Sequence, residues 1–376
     1  MESRKKRHPG LVLSRRLRQT PFESRVIEQG AKAFTIYNQM PLASYFRSLK
    51  EDYDHLCEHV QIWDVSCERQ VEIVGPDALA LTELITPRDI SRCDIGQCMY
   101  APLVDENGGI VNDPIILRLE QDRFWLSIAD SGVMLWVKGI AYGRGFDVEV
   151  FEPDVSPLAI QGPRSDDLMA ELLGEHVRDI PFFRFIRSRL AETSFYIARS
   201  GWSGQGGFEI YLEEFSKGEG LWDCIWDAGQ KYSIRAGCPN LIDRIEKGLL
   251  SYGSDMRLES NPYECGLDRF FGETKQAECM SSDALAAIWA RGPSTRLVCL
   301  AVEGEPLTSP RNTCPVLDEA GRRRGYVTSL AHSTRFGANL AIATVDAEVS
   351  ADGQTLSVDT GGPVLSRAVV KSSFWK

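Results

Sequence analysis

Between Ser200 and Phe208 the chain carries four glycines, Gly201, Gly204, Gly206 and Gly207, and the residues directly after them constrain the fold class. A loop this thin invites a phosphate-cradling role, but that chemistry needs the open N–H groups of a helix N-terminus directly after the loop. Here Phe208, Ile210 and Leu212 alternate with Glu209 and Tyr211, which is the period of a strand. The spacing therefore predicts two strands within residues 195–213 around a glycine-rich loop. Glu209 and Tyr211 share one face, where a ligand can approach the backbone closely.

The rest of the chain reads as mixed α+β. Leu42, Tyr45, Phe46, Leu49, Tyr53, Leu56 and Val60 recur at three- and four-residue steps and predict an amphipathic helix from Pro41 to Val60. Gln70–Val74 reads as a strand, Gly75-Pro76-Asp77 as a turn and Ala78 to Leu84 as a helix. Asn107-Gly108-Gly109 signals a hairpin between Tyr100–Val104 and Ile115–Leu119, and Phe124–Ile128 continues that sheet. Leu158-Ala159-Ile160 leads through Gln161-Gly162-Pro163 into a helix near Ser165, whose hydroxyl with Asp166 and Asp167 suits a helix start. Leu221–Tyr232 and Leu241–Leu250 read as helices. Beyond about Arg296 short strands turn at Glu319-Ala320-Gly321 and Asp352-Gly353, so residues 276–376 form a β-rich domain.

Bulk composition narrows the function. Forty-two basic against 53 acidic residues give a net charge of −11, which repels nucleic-acid backbones and anionic membranes. The ten cysteines are scattered singly, as suits a reducing cytoplasm. The basic start Arg4-Lys5-Lys6-Arg7 leads only into Leu11-Val12-Leu13-Ser14, too short for a signal core, so residues 1–13 read as a disordered basic tail. Oligomeric state is not legible.

A carboxylate accepts two parallel N–H bonds, and a 2-amino-4-oxo-pterin offers such a pair, so Glu209 beside Tyr211 suits a folate head. An ordinary solvent-facing strand residue is the alternative reading of Glu209. Other constellations carry less. His55 and His59 are spaced i, i+4 beside Cys57 and Glu58, but no second ligand pair follows at metal spacing, so no metal is expected. Ser200 and Ser203 lack the strand–elbow–helix setting of a hydrolase nucleophile. Asp243, Arg244 and Glu246 read as solvated or paired helix charges.

Five segments occur in one order: Trp63-Asp64-Val65-Ser66, Gly108-Gly109-Ile110-Val111-Asn112-Asp113, Ile160-Gln161-Gly162-Pro163, the glycine-rich stretch, and Arg244-Ile245-Glu246-Lys247-Gly248-Leu249. Together they resemble the aminomethyltransferase, or glycine-cleavage T-protein, family from about Ser14 to the Ser333-Thr334-Arg335-Phe336 segment. Leu13–Phe22, His59–Val65 and Ala236–Ile242 look like the dimethylsulfoniopropionate demethylase branch of that family.

The resemblance implies a three-domain T-protein-like ring with tetrahydrofolate in a central channel. Two intertwined folate-binding domains would span 14–275, followed by a C-terminal barrel or jelly-roll-like domain. By similarity Glu209 holds the pterin, with Tyr211, Gln161 and Tyr100 around the folate. The family's catalytic aspartate comes first in a paired Asp-Asp, where this chain has Asn112-Asp113. An amide cannot serve the acid–base work of aminomethyl transfer, so Asn112 favours simple methyl displacement from an already activated sulfonium or quaternary ammonium. No strong acid or base is then required. Asp113, one residue on, would point to the other face of a strand.

For a small cationic methyl donor, Phe22, Trp202, Tyr37 and Trp125 are the candidate cage aromatics. Arg15, Arg16 or Arg18 could hold a donor carboxylate. Trp202 stands where the branch pattern has Tyr, and Gly204 where it has Lys. The expected reaction gives a thioether and 5-methyltetrahydrofolate. A methylated amine donor, aminomethyl transfer and a non-catalytic folate-binding protein are the alternatives.

Overall fold

A computed structural model of the chain describes residues 14–271, 279–307 and 313–373. The expected tail, residues 1–13, lies outside the described residues.

Helix α1 (Glu23–Glu28) precedes a hairpin of β1 (Ala33–Tyr37) and β2 (Met40–Tyr45), whose turn places Asn38 and Gln39 at φ 46° and 66°. The helix expected from Pro41 therefore begins only at α2 (Leu49–Glu58). Leu42 and Tyr45 match helical spacing by coincidence. The left-handed pair ahead of them fixes a hairpin, and Ser48 starts the helix by accepting a 3.1 Å bond from the Glu51 amide.

Next come β3 (Gln61–Asp64), β4 (Gln70–Val74) and α3 (Ala78–Leu84), the last two as the pattern predicts. The expected strand Tyr100–Val104 is split into β5 (Gln97–Tyr100) and β6 (Leu103–Val104), followed by β7 (Ile110–Asn112), β8 (Ile115–Glu120) and β9 (Arg123–Ser127). Asn107-Gly108-Gly109 joins β6 to β7, while β5 pairs with β8. A Cβ on Gly109 would lie 2.3 Å from the Leu258 carbonyl oxygen, so only glycine fits there.

Helix α4 (Val133–Arg144), β10 (Glu149–Phe151), β11 (Ser156–Gln161) and α5 (Ser165–Leu173) come after β9. Asp166 and Asp167 sit in the first turn of α5, but Arg164 is its cap and no side chain closes it. Then come β12 (Phe185–Leu190), β13 (Thr193–Ala198), β14 (Gly207–Leu212), α6 (Gly218–Gly229), β15 (Arg235–Gly237) and α7 (Leu241–Lys247). After α8 (Ser282–Arg291) the chain is β16 (Thr295–Val302), β17 (Pro315–Leu317), β18 (Arg323–Ser333), β19 (Ala338–Asp346), β20 (Thr355–Val358) and β21 (Ser366–Lys371).

Three sheets organise these elements. The first has the order β10-β4-β9-β8-β5, the second β12-β13-β14-β11-β3-β15, and β16-β19-β18-β17-β20-β21 close into a barrel. The first sheet buries one face under α3 and α4, and the second under α1, α5 and α6. Their opposite faces meet through Leu117 and Trp125 from one side and Phe185, Ala198 and Tyr211 from the other. The fold is thus α+β with a C-terminal closed barrel. Among the described residues no helix is long and apolar enough to cross a membrane.

Candidate functional site: a buried acidic chamber

Strand β14 carries Glu209 opposite Ala198 on one neighbour and Ala159 on the other, so small side chains flank it. Glu209 is only 7% exposed, and the Ser200 hydroxyl donates to its Oε2. Burial pushes its carboxyl above the ordinary range, while hydrogen bonding from Ser200 and Tyr211 works against the shift. Glu209 is therefore no solvent-facing strand residue.

Glu68 enters the same space from the loop between β3 and β4. Burial pushes its carboxyl up to about 8, with the charges on Glu209 and then Asp113 adding to the rise. Asp113 is pushed up to about 7 by burial, against the 3.0 Å hydrogen bond that Tyr100 Oη donates to it. Tyr37 faces this cluster too, since Glu68 and Asp113 both raise its phenol beyond the effect of burial. Three carboxyls and the phenols of Tyr37, Tyr100 and Tyr211 thus influence one another as one acidic cluster, in which Glu68, Asp113, Tyr37 and Tyr100 are half-buried. Among the described residues none of the three carboxyls makes a salt bridge.

Of the residues expected around the folate and donor, Tyr37, Tyr100, Glu209 and Tyr211 fall in this cluster; Glu68 is not singled out by the sequence, and Asp113 is set aside there on strand parity. Glu68 has no periodic signature; its one signal is its place two residues after Trp63-Asp64-Val65-Ser66. Strand parity argued against Asp113, but β7 ends at Asn112, so parity does not apply one residue later.

Asn112 does a different job. It is fully buried; its Nδ2 donates to the Ala129 carbonyl at 3.0 Å and Ser131 Oγ at 2.9 Å, and its Oδ1 accepts from the Ala129 amide at 3.0 Å. Gln161, also fully buried, stands beneath the glycine-rich loop. Its Nε2 donates to the Ser200 and Phe208 carbonyls, each at 3.2 Å, and its Oε1 accepts from Ser203 Oγ at 2.6 Å. A Cβ on Gly201 would fall 2.1 Å from that amide, which explains the glycine.

The expected aromatic cage does not assemble. Phe22 is fully buried against Trp222 in the core of the second sheet, leaving no ring face for a ligand. Trp125 is equally buried, and its Nε1 donates to Glu72 at 2.8 Å. Trp202 is partly exposed, but the Arg244 guanidinium already lies 5.8 Å over its ring. Arg18 pairs with Glu152 at 2.5 Å, while Arg15 and Arg16 are exposed. At Gly204 an added Cβ would meet Lys247 Cε at 2.2 Å, so the alkyl chain of Lys247 fills the space a residue 204 side chain would take.

Helix α7 is a hub of buried charge rather than a solvated surface. Asp243 accepts from the Gly204 amide and from Gln205 Nε2, both at 2.7 Å, and steadies the glycine-rich loop. Arg244 pairs with Asp255 at 2.7 Å and also bonds Ser329 of the barrel. Glu246 accepts from Tyr53 Oη at 2.8 Å and from Ser333 Oγ at 2.5 Å. His55, a metal candidate by spacing, has its Nε2 2.8 Å from the Ser233 carbonyl oxygen, and burial holds its ring down to about 4.

Comparison with known proteins places this geometry in a family. Residues 22–275 match the GCVT N-terminal domain, and residues 295–376 match the glycine cleavage T-protein C-terminal barrel domain. The chain is 49% identical to dimethylsulfoniopropionate demethylase DmdA of Ruegeria pomeroyi, over 96% of this chain and 98% of that protein. It is 27% identical to the aminomethyltransferase of Thermotoga maritima, over 96% of this chain and 98% of that one. The crystal structure of glycine cleavage system aminomethyltransferase T from Bartonella henselae, 23% identical, superimposes with a TM-score of 0.84 over 96% of this chain and all of that one, so the fold is shared. From the matched domains and the near full-length relatives, the chain belongs to the aminomethyltransferase, or glycine-cleavage T-protein, family.

Proposed function

We propose that this chain is a tetrahydrofolate-dependent demethylase. It moves a methyl group from a dimethylsulfoniopropionate-like sulfonium to N5 of tetrahydrofolate, leaving methylmercaptopropionate and 5-methyltetrahydrofolate. The observation that carries this reading is the acidic cluster: Glu68, Asp113 and Glu209 are all raised by burial, Glu68 also by the charges of Glu209 and Asp113, and no cation is bridged to them among the described residues. Such a site is satisfied by N–H donors and positive charge, which a pterin edge and a sulfonium bring. The near full-length relative named for demethylation supports this donor over an aminomethyl carrier.

When bound, tetrahydrofolate supplies N5 as the nucleophile. Glu209 would hold the pterin edge through two parallel N–H bonds, with Ser200 and Tyr211 fixing its carboxylate. Tyr37 offers an aromatic face to the donor cation. Tyr100, bound to Asp113, would line the folate, and in-line approach of the bound pair would provide most of the acceleration. We assign the folate to residues 14–275 and treat 276–376 as the separate β-rich unit. Cys57, Cys67, Cys93, Cys98, Cys224, Cys238, Cys265 and Cys279 are thiols, which favours a cytoplasmic setting.

The test is mass-spectrometric detection of 5-methyltetrahydrofolate from purified protein, tetrahydrofolate and, separately, dimethylsulfoniopropionate, glycine betaine or dimethylglycine. Product from the sulfonium alone is expected. Product only from an amine would replace the donor, and folate binding without product would remove the demethylase assignment.

Restoring an acid with Asn112→Asp should not raise turnover. A carboxylate there loses both bonds that the amide donates, so the variant should be less stable by about 1–3 kcal/mol. A large gain in methyl transfer at unchanged urea midpoint would contradict this.

A further inference from the structure

A cleft of about 380 Å³ lies between the end of α7 and the barrel strands β16 and β21. Leu250, Cys265 and Leu297 give it an apolar wall, and Arg269, Arg296 and Lys371 bring three cations to it from segments far apart in the chain. Its two sides are fastened together, since the Leu297 amide of β16 donates to the Glu264 carbonyl at 2.8 Å. All three basic residues are exposed, and among the described residues none of them makes an ion pair with a carboxylate. Among those residues the lining holds one carboxylate, Asp352, whose Oδ1 accepts from the Ser372 amide at 2.7 Å. Elsewhere on this acidic chain surface arginines such as Arg25, Arg178 and Arg324 find acidic partners. Three cations left facing one cleft therefore make a site of positive potential.

The cleft adjoins a residue expected beside the folate. Cys265 belongs to an apolar cluster against which Tyr100, Leu250, Phe270 and Leu297 pack. The Phe270 ring meets Tyr100 edge-on with centroids 4.9 Å apart, and the Arg269 guanidinium lies 4.8 Å over the other ring of that pair, Phe270. One carboxylate against one exposed cation gains little, because water screens the pair. A ligand that suits the cleft therefore carries several carboxylates on one flexible chain, so that after the first contact the others bind at high effective concentration.

We propose that this cleft binds an oligocarboxylate, and that the chain it takes is the γ-linked glutamyl tail of the folate itself. This rests on the demethylase reading, in which Glu209 holds the pterin and Tyr100 lines the folate. The tail leaves Tyr100, passes Phe270 to reach Arg269, and further glutamyl units extend to Arg296 and Lys371 on the barrel. The pterin contacts are the same for every tail length. The number of glutamyl units then sets how tightly the folate is held, through the barrel rather than through Glu209.

Isothermal calorimetry of the full chain with monoglutamyl and triglutamyl tetrahydrofolate measures the effect. The triglutamyl form should bind at least about tenfold more tightly. Raising salt from about 50 mM to about 500 mM should cut that preference to under about threefold, because the cations are exposed. The double variant Arg296→Gln, Lys371→Gln should bind the two forms within about twofold of each other. Both residues are at the surface, so the fold is spared, and an unchanged urea midpoint checks this. A preference that survives in the double variant, or that ignores salt, would overturn the assignment. Free tri-γ-glutamate separates the two sources of the same chemistry. If it binds the wild type saturated with the monoglutamyl form but not the double variant, while the two folates bind alike, the cleft holds a separate oligocarboxylate and the tail assignment fails. If the two folates bind alike and free tri-γ-glutamate does not bind, the cleft has no such role. Loss of all folate binding, with tri-γ-glutamate still bound through Arg296 and Lys371, would instead sink the demethylase reading and leave the cleft standing.

Discussion

Glu209→Ala is expected to weaken tetrahydrofolate binding by two orders of magnitude or more. Two charge-assisted hydrogen bonds to the pterin edge contribute about 1.5–3 kcal/mol each, and alanine supplies neither. The loss should not come from unfolding. In the ligand-free protein Glu209 is a buried carboxyl whose charge raises its neighbour Glu68, so deleting it relieves repulsion.

The sign of that relief shows in the pH dependence of stability. A carboxyl raised on folding holds its proton more tightly in the folded state, so its stabilisation is full below its unfolded value and is lost as pH rises. For Glu68 the loss runs from the ordinary glutamate range up to about 8. Glu209→Ala should lower that upper limit, and the ligand-free variant should be as stable as the wild type or more so at neutral pH. Calorimetry for folate and urea unfolding for stability measure both effects. Unchanged folate affinity would remove Glu209 from the site.

Arg244→Ala should cost about 3–5 kcal/mol of stability, because it strands Asp255 in the interior. The side chains of Arg244 and Asp255 are 6% and 0% exposed, so water cannot replace the lost partner. Asp255 would keep acceptor bonds from Thr328, Ser329 and the Ser251 amide, but not a counter-charge. The double variant Arg244→Ala, Asp255→Ala should recover part of the loss, since no uncompensated charge remains. A urea midpoint shift equivalent to under about 1 kcal/mol for the single variant would contradict the buried pairing.

Strong local patterns made much of this architecture legible. The alternation after Gly207 placed β14 and set Glu209 beside Tyr211, because a strand has only two faces. The β1–β2 hairpin was not legible. Its two-residue turn uses Asn38 and Gln39 rather than a glycine pair, and the apolar residues after it mimic a helix. Phe22 and Trp125 show the limit for aromatics, since a core ring and a cage ring are the same residue until burial separates them. Glu68 and Asp113 lie outside periodic elements and gain their chemistry from burial, which no spacing encodes. The α7 charges read as solvated or paired, and spacing could not choose between the two because their partners, Asp255, Ser329 and Ser333, are remote in sequence.

Gln161 ties Ser200 and Phe208, the two ends of the glycine-rich loop, to a single amide. Its crown, Trp202 to Gln205, is fastened as well, by Ser203 to the same amide and by Gly204 and Gln205 to Asp243 of α7. Substitutions at Ser203 or Gln205 therefore disturb the bonds that brace the whole loop. Trp202 takes part in none of these bonds, so a laboratory seeking new methyl donors for this scaffold would begin diversifying there rather than at its neighbours.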